Sequence, residues 1–105
     1  MNKQISAIEA SKLRNDTTVV FLDVREDSEL AICKIENALH VPLGKIPESL
    51  HTLPKDKTLL VFCHHGMRSQ RAQQFLLAKG FDAVINMEGG IHAWAVEVDP
   101  EMETY

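Results

Sequence analysis

The sequence contains only two cysteines, Cys33 and Cys63, among 105 residues, which is too few for a disulfide scaffold. It has no apolar stretch near the roughly 20 residues that a membrane-spanning helix needs. Residues 1–7 lack the apolar segment of a secretory signal, so export by that route is not expected. The net charge of −4 argues against nucleic acid as a partner. We therefore expect a cytoplasmic protein that acts without a membrane or a nucleic acid.

Acidic residues are absent from one long stretch, residues 58–80, which contains the cations Arg68, Arg71 and Lys79. The stretch therefore carries +3, and the rest of the chain carries −7 to give the total of −4. A cationic region on an acidic protein favours a small anion as the ligand.

The same stretch has three parts. Leu59 to Phe62 is an unbroken apolar run, typical of a strand that is buried on both faces. The pattern from Ser69 to Lys79 predicts a helix with Ser69 as its N-cap and Gly80 just beyond its end. A short loop from Cys63 to Arg68 connects the strand to the helix.

A loop in this position can stabilise an anion. Backbone N–H groups at the start of a helix are unpaired, and the helix dipole adds positive charge there. Gly66 allows the backbone to curl, and Arg68 adds a planar set of donors. These groups would stabilise the thiolate of Cys63, which is our candidate nucleophile.

Strands and helices alternate along the chain, which indicates an α/β domain with a parallel sheet between helix layers. A capping box at Ser6–Glu9 begins the first helix, in which Ile8 and Leu13 are expected to be buried. Residues 97–105 carry four acids and no base, and we expect this acidic tail to be loosely packed. We interpret the chain, 1–105, as one domain. Ligands of such sheets bind beyond the carboxyl ends of the strands, where Cys63 is predicted to lie.

The segment from Cys63 to Arg68 resembles the Cys-x-x-Gly-x-Arg loop of the single-domain rhodaneses. The resemblance extends over nearly the whole chain, from Ile5 to about Trp94. Further matching segments are Leu22–Arg25, Ile35–Ala38 with Val41–Leu43, and Glu88–Ile91 with Trp94. The sequence departs from the family at Glu36-Asn37, where Pro-Gly is common, and at Cys33-Lys34, where Gly-His is common.

The resemblance implies a five-stranded parallel sheet in a three-layer α/β/α domain, and sulfur transfer through a persulfide on Cys63. The donor would be thiosulfate or a persulfide, and the acceptor cyanide, a thiol or a protein. Residues of the loop would bind the substrate: His64, His65, Gly66, Met67 and Arg68. Asp23, Arg25 and Ser69 would support the loop structurally. Several family members have Arg where this chain has His64, which leaves donor preference open.

Two other functions remain open at this stage. Cysteine phosphatases and arsenate reductases of the related fold use a Cys-x5-Arg loop, whereas Cys63 and Arg68 have four residues between them. The shorter loop suits one sulfur atom better than a tetrahedral phosphate. A non-catalytic interaction module is the other alternative, although such modules often lack the cysteine.

We expect neither a metal nor a cofactor. Cys63, His64 and His65 are adjacent, and adjacent side chains rarely converge on one ion. His40, His51 and His92 are interpreted as surface or turn residues, and Cys33 as a structural residue.

Overall fold

The computed structural model describes residues 3–105 and contains one sheet of five parallel strands. The strands are β1 (Lys3–Ile5), β2 (Val19–Asp23), β3 (Leu39–His40), β4 (Thr58–Phe62) and β5 (Val84–Met87). Their order across the sheet is β1-β5-β4-β2-β3, so β1 is an edge strand and β4 lies in the centre. The expected α/β architecture is confirmed.

The helices are α1 (Ala7–Ser11), α2 (Asp27–Leu30), α3 (Met67–Ala78) and α4 (Gly90–Glu97). Two short 3-10 helices, Leu43–Lys45 and Pro47–Thr52, lie between β3 and β4. Within residues 3–105, none of these helices combines the length and the apolar character that crossing a bilayer requires.

Side chains of β4 alternate between two hydrophobic cores, one on each face of the sheet. Leu59 and Val61 belong to the core beneath α3, whereas Leu60 and Phe62 belong to the core that contains residues of α1 and α4. All four are fully buried, which explains the unbroken apolar run in the sequence. Cys63 continues this alternation and belongs to the core beneath α3.

The sequence predicts a first helix that includes Leu13, but α1 ends at Ser11 and a turn follows it. Its predicted capping box between Ser6 and Glu9 is confirmed. The prediction that Ile8 is buried is wrong, since 47% of this residue is exposed. The fully buried residues are Ala7 and Ala10, whose small side chains suit the packing of α1 against α4.

Helix α3 begins at Met67, two residues before Ser69, so Ser69 lies inside the helix and is not its N-cap. Gly66 takes that position with a φ of 115°, in the left-handed region that glycine tolerates best. The chain can therefore turn from the loop directly into the helix without a side-chain cap. The predicted glycine after the helix is confirmed, because Gly80 has a φ of 93°.

The acidic tail, residues 97–105, begins with the last residue of α4 and is irregular beyond it, yet it packs on the domain. Val98 and Met102 contact the core of α1 and α4. Tyr105 stacks on His64, with 3.8 Å between ring centroids and 8° between ring planes. The prediction of a loosely packed tail is therefore wrong.

Candidate active site

Cys63 is the first residue after the central strand β4, at its carboxyl end as predicted. The residue is only 1% exposed. The backbone N–H of Gly66 donates to its Sγ atom at 3.0 Å, and the hydroxyl of Ser69 lies 3.4 Å from the same sulfur. The Gly66 N–H therefore points at a sulfur that packing hides from bulk water.

The first turn of α4 anchors the start of this loop. The N–H of Ile91 donates to the carbonyl oxygen of Cys63 at 2.8 Å, and the N–H of His92 donates to that of His64 at 3.1 Å. The two N–H groups would otherwise have no partner inside α4. The Gly89–Gly90 turn places α4 close enough to make both bonds, with φ values of 80° and 62°.

We predict that Gly90→Ala loosens the loop and destabilises the domain. An added Cβ would lie 2.5 Å from the carbonyl oxygens of Cys63 and His64, which are backbone atoms that cannot move freely. The left-handed φ adds strain, and we expect a loss of about 2 kcal/mol or more in the free energy of unfolding. Urea denaturation measures it. Gly44→Ala is the control, because nothing lies within 4 Å of an added Cβ there. Equal effects at the two glycines would contradict the close approach.

A buried polar pair, Ser69 and Asn86, supports the loop from below. The Ser69 hydroxyl donates to Oδ1 of Asn86. The side-chain amide of Asn86 donates to the carbonyl oxygen of Gly66 at 3.3 Å. The sequence analysis did not single out Asn86. The feature of the sequence that could have identified Asn86 is a polar amide that directly follows two apolar residues of a buried strand.

Arg68 is paired with a carboxylate that the sequence analysis did not single out. Its Nη1 and Nη2 donate to Oε1 and Oε2 of Glu29 at 2.6 and 2.8 Å, which is a bidentate pair. The guanidinium is about one-third exposed and the carboxylate less so, with side-chain values of 34% and 16%. Hydrogen bonding to Arg68 lowers the pKa of Glu29 to about 2, so this carboxylate is ionised at neutral pH.

The site is consequently less cationic than the charge count of residues 58–80 suggests. Glu29 neutralises Arg68. Lys79, just beyond α3, lies 5.5 Å from the ring of Phe75 and thus at the opposite end of the helix from the loop. Arg71 is exposed. A count along the sequence could not include Glu29, because it belongs to α2.

Asp23, the last residue of β2, forms a buried ion pair with Arg25. The shortest contact joins Arg25 Nη2 to Asp23 Oδ2 at 2.7 Å, and the two residues are 0% and 1% exposed. Arg25 also donates to the carbonyl oxygen of Cys33 and to the hydroxyl of Tyr105, at 2.9 and 3.1 Å. Burial lowers the pKa of Arg25, but its hydrogen bonds to Asp23 and Tyr105 more than compensate, so the guanidinium stays charged. This residue therefore connects β2, α2 and the tail.

The other loop side chains differ in exposure. His64 is half-buried beneath Tyr105, and its Nε2 has no hydrogen-bond partner within residues 3–105. Burial lowers the pKa of His64, and nearby His65 lowers it further, so the neutral imidazole is favoured. His65 is exposed, with its ring centroid 4.0 Å from that of His64. Met67 is 72% exposed at the start of α3.

Among residues 3–105, no group of three or more His, Cys, Asp or Glu side chains is arranged to hold a metal ion. His51 and His92 are exposed, whereas His40 is half-buried and its Nε2 lies 2.7 Å from the carbonyl oxygen of Arg25. Burial raises the pKa of the Cys33 thiol, which favours its neutral form. The absence of a metal or cofactor in the reaction remains an expectation.

Known proteins resemble this chain over most of its length. A family model described as "Rhodanese-like domain" matches residues 6–97. YtwF of Bacillus subtilis is 42% identical over 100 residues, covering 94% of this chain and 96% of that protein. The thiosulfate sulfurtransferase GlpE of Coxiella burnetii is 38% identical over 94 residues, covering 90% and 88%.

The architecture agrees with a solved structure. The crystal structure of a rhodanese-related protein from Thermoplasma volcanium superimposes with a TM-score of 0.83 and 34% identity, covering 91% of this chain and 93% of that one. The sequence match, the shared fold and the Cys63–Arg68 loop at the end of β4 agree with one another. The chain therefore belongs to the rhodanese-like domain family, as an enzyme of the rhodanese-type sulfurtransferase class.

Proposed function

We propose that this enzyme transfers a sulfane sulfur from thiosulfate or a persulfide to a thiophilic acceptor, with Cys63 as the carrier. The observation that supports this most directly is the contact between the Gly66 N–H and the Cys63 Sγ at 3.0 Å. An N–H aimed at the sulfur stabilises the thiolate and lies where an outer sulfur could also be bound.

The reaction consists of two displacements. The Cys63 thiolate attacks the outer sulfur of the donor, a sulfur–sulfur bond forms, and the donor leaves as sulfite or as a thiolate. The acceptor, which is cyanide in an assay or a thiol in a cell, then attacks the outer sulfur and restores the Cys63 thiolate. No electrons are gained or lost overall, and the step requires no cofactor.

The surrounding residues have separate roles in this scheme. Backbone N–H groups of His64, His65, Gly66, Met67 and Arg68 form the cradle for the outer sulfur. The N–H groups of Arg68 that Glu29 leaves free donate hydrogen bonds to the donor's leaving group. Ser69 supports the loop directly, because its Oγ lies 3.4 Å from Cys63 Sγ and 3.1 Å from the Gly66 carbonyl oxygen. Asp23 and Arg25 support it indirectly, since Arg25 binds the Tyr105 hydroxyl and the Tyr105 ring stacks on His64.

We predict that Arg68→Ala impairs transfer from thiosulfate much more than it impairs stability. The substitution removes the cation and leaves the Glu29 carboxylate, 16% exposed as a side chain, without its partner. We expect kcat/KM for thiosulfate to fall by about 100-fold, which corresponds to the loss of one charged hydrogen-bonding group. Thiocyanate formation from thiosulfate and cyanide measures it. Arg71→Ala on the exposed side of α3 is the control. An unchanged KM and kcat in Arg68→Ala would contradict the role of this side chain.

One experiment separates sulfur transfer from the two alternatives. The wild-type chain is offered thiosulfate with cyanide in one assay and an aryl phosphate in another. We expect thiocyanate and no phosphate release, because the loop between Cys63 and Arg68 is short and its Gly66 N–H approaches the sulfur closely. Phosphate release without thiocyanate would indicate a phosphatase, and neither product would indicate an interaction module.

We further propose that the enzyme acts in the cytoplasm on a small sulfur donor and on a thiol or protein acceptor. The two unpaired cysteines, Cys33 and Cys63, support a reducing compartment.

A further inference from the structure

The carboxylate of Glu29 is fixed beside the active-site loop by four hydrogen bonds. Two come from Arg68, at 2.6 and 2.8 Å. The backbone N–H of Glu26 donates to Oε1 at 3.0 Å, and the hydroxyl of Tyr105 donates to Oε2 at 2.7 Å. Because three elements of the chain hold this group, it cannot rotate away from Arg68 without breaking bonds to the other two.

This carboxylate occupies the end of the Arg68 guanidinium that Nη1 and Nη2 form. A guanidinium recognises a planar or trigonal oxyanion best through two parallel N–H groups. In Arg68, both terminal nitrogens already donate to Glu29. A sulfonate can use this end of Arg68 only by displacing a carboxylate of the same chain, which loses no translational freedom by binding; otherwise it is left with the Nε side of the guanidinium. The dianion thiosulfate also meets the negative charge of Glu29 itself.

We infer that Glu29 sets the donor preference of this site, because by occupying Arg68 it disfavours thiosulfate and favours donors with at most one negative charge, the organic persulfides. This inference rests on the proposed function and narrows its substrate class. An organic persulfide has no sulfonate and needs only the N–H groups of the loop around Cys63.

The step with such a donor is balanced. The Cys63 thiolate attacks the outer sulfur of R–S–SH, the bond between Sγ and that sulfur forms, and the bond to the inner sulfur breaks. The electron pair of the broken bond leaves with R–S⁻, and Cys63 carries the group –S–SH. No oxidant or reductant is consumed.

The test compares donor selectivity in wild type and Glu29→Gln, which removes the charge but keeps the side-chain size. The donors are thiosulfate and the persulfide of 2-mercaptoethanol, which has no charge outside its sulfur atoms. We expect the ratio of kcat/KM for thiosulfate to that for the persulfide to rise at least about tenfold in Glu29→Gln. Ionic strength is held constant, since salt screens such effects.

Two further variants show whether charge is responsible. Glu36→Gln removes one negative charge from a different exposed residue and should leave the ratio unchanged. Glu29→Asp keeps the charge but shortens the side chain, and its ratio should stay near the wild-type value. If the ratio of kcat/KM for thiosulfate to that for the persulfide rises equally in Glu29→Asp and Glu29→Gln, a loosened loop causes the effect and the inference is overturned. Loss of both activities in a folded Glu29→Gln protein would also overturn it.

If Glu29→Gln does not fold, the inference is tested by comparing the two donors in the wild-type protein. Its kcat/KM for the persulfide must exceed that for thiosulfate, and a preference for thiosulfate would overturn the inference. The proposed function fails separately, if neither donor leaves a sulfur on Cys63. If a sulfur is transferred and the selectivity ratio is the same in wild type and Glu29→Gln, only the inference about Glu29 is wrong.

Discussion

Cys63→Ser is expected to reduce the rate of sulfur transfer by at least about 1,000-fold, because a hydroxyl cannot form a persulfide. Loss of the nucleophile removes the largest single contribution to the rate enhancement. The fold should persist. The Ser hydroxyl is smaller than the thiol but can still accept the Gly66 N–H that now reaches Sγ at 3.0 Å. We expect the free energy of unfolding to change by about 1 kcal/mol at most. Thiocyanate production and urea denaturation measure the two quantities.

The matched control is Cys33→Ser, the other cysteine of the chain. Cys33 is half-buried, and burial raises the pKa of its thiol, so it is a poor nucleophile at neutral pH. Its replacement should leave most of the transfer activity intact. Activity that persists in Cys63→Ser and disappears in Cys33→Ser would show that the assigned nucleophile is wrong.

Asp23→Ala is expected to cause the largest loss of stability, about 3–5 kcal/mol. The substitution leaves Arg25, which is 0% exposed, without its charge partner at 2.7 Å. A buried and uncompensated charge costs far more than the pair contributes, and the loss is a large share of the about 5–15 kcal/mol that stabilises a typical domain. Urea denaturation followed by circular dichroism gives the value.

Two variants test this explanation. Asp56→Ala removes an exposed acid and should change the stability by less than about 0.5 kcal/mol. Adding Arg25→Met to Asp23→Ala removes the buried charge as well, and part of the lost stability should return. A loss below about 1 kcal/mol in Asp23→Ala, or none recovered in the double variant, would contradict a buried ion pair.

The architecture could be predicted from the sequence because its signals are local. The apolar run before Cys63 gave the buried central strand, and the capping box at Ser6 gave the start of α1. Helix bounds were less accurate where backbone conformation replaced a side-chain signal. Gly66 begins α3 through its left-handed φ of 115°, so Ser69 resembled a cap that it does not provide.

The core of the candidate site was also predictable, since Cys63, Gly66 and Arg68 are close together in the chain. The residues that surround them were not. Glu29 meets Arg68 across 39 residues of sequence, and Tyr105 meets Glu29 across 76. Contacts at such separations depend on how β2, α2 and the tail pack, which no local pattern specifies. Because of Glu29, the loop ends in an ion pair and not in the free cation that the sequence indicates.

The most direct test is the mass of the intact protein after exposure to a sulfur donor. The chain is incubated with thiosulfate or with the persulfide of 2-mercaptoethanol, and its cysteine-containing peptides are then mapped. We expect the mass of one added sulfur atom, located on Cys63 and removed again by cyanide. An unchanged mass with both donors, or an added sulfur located on Cys33, would contradict the assignment of Cys63 as the carrier.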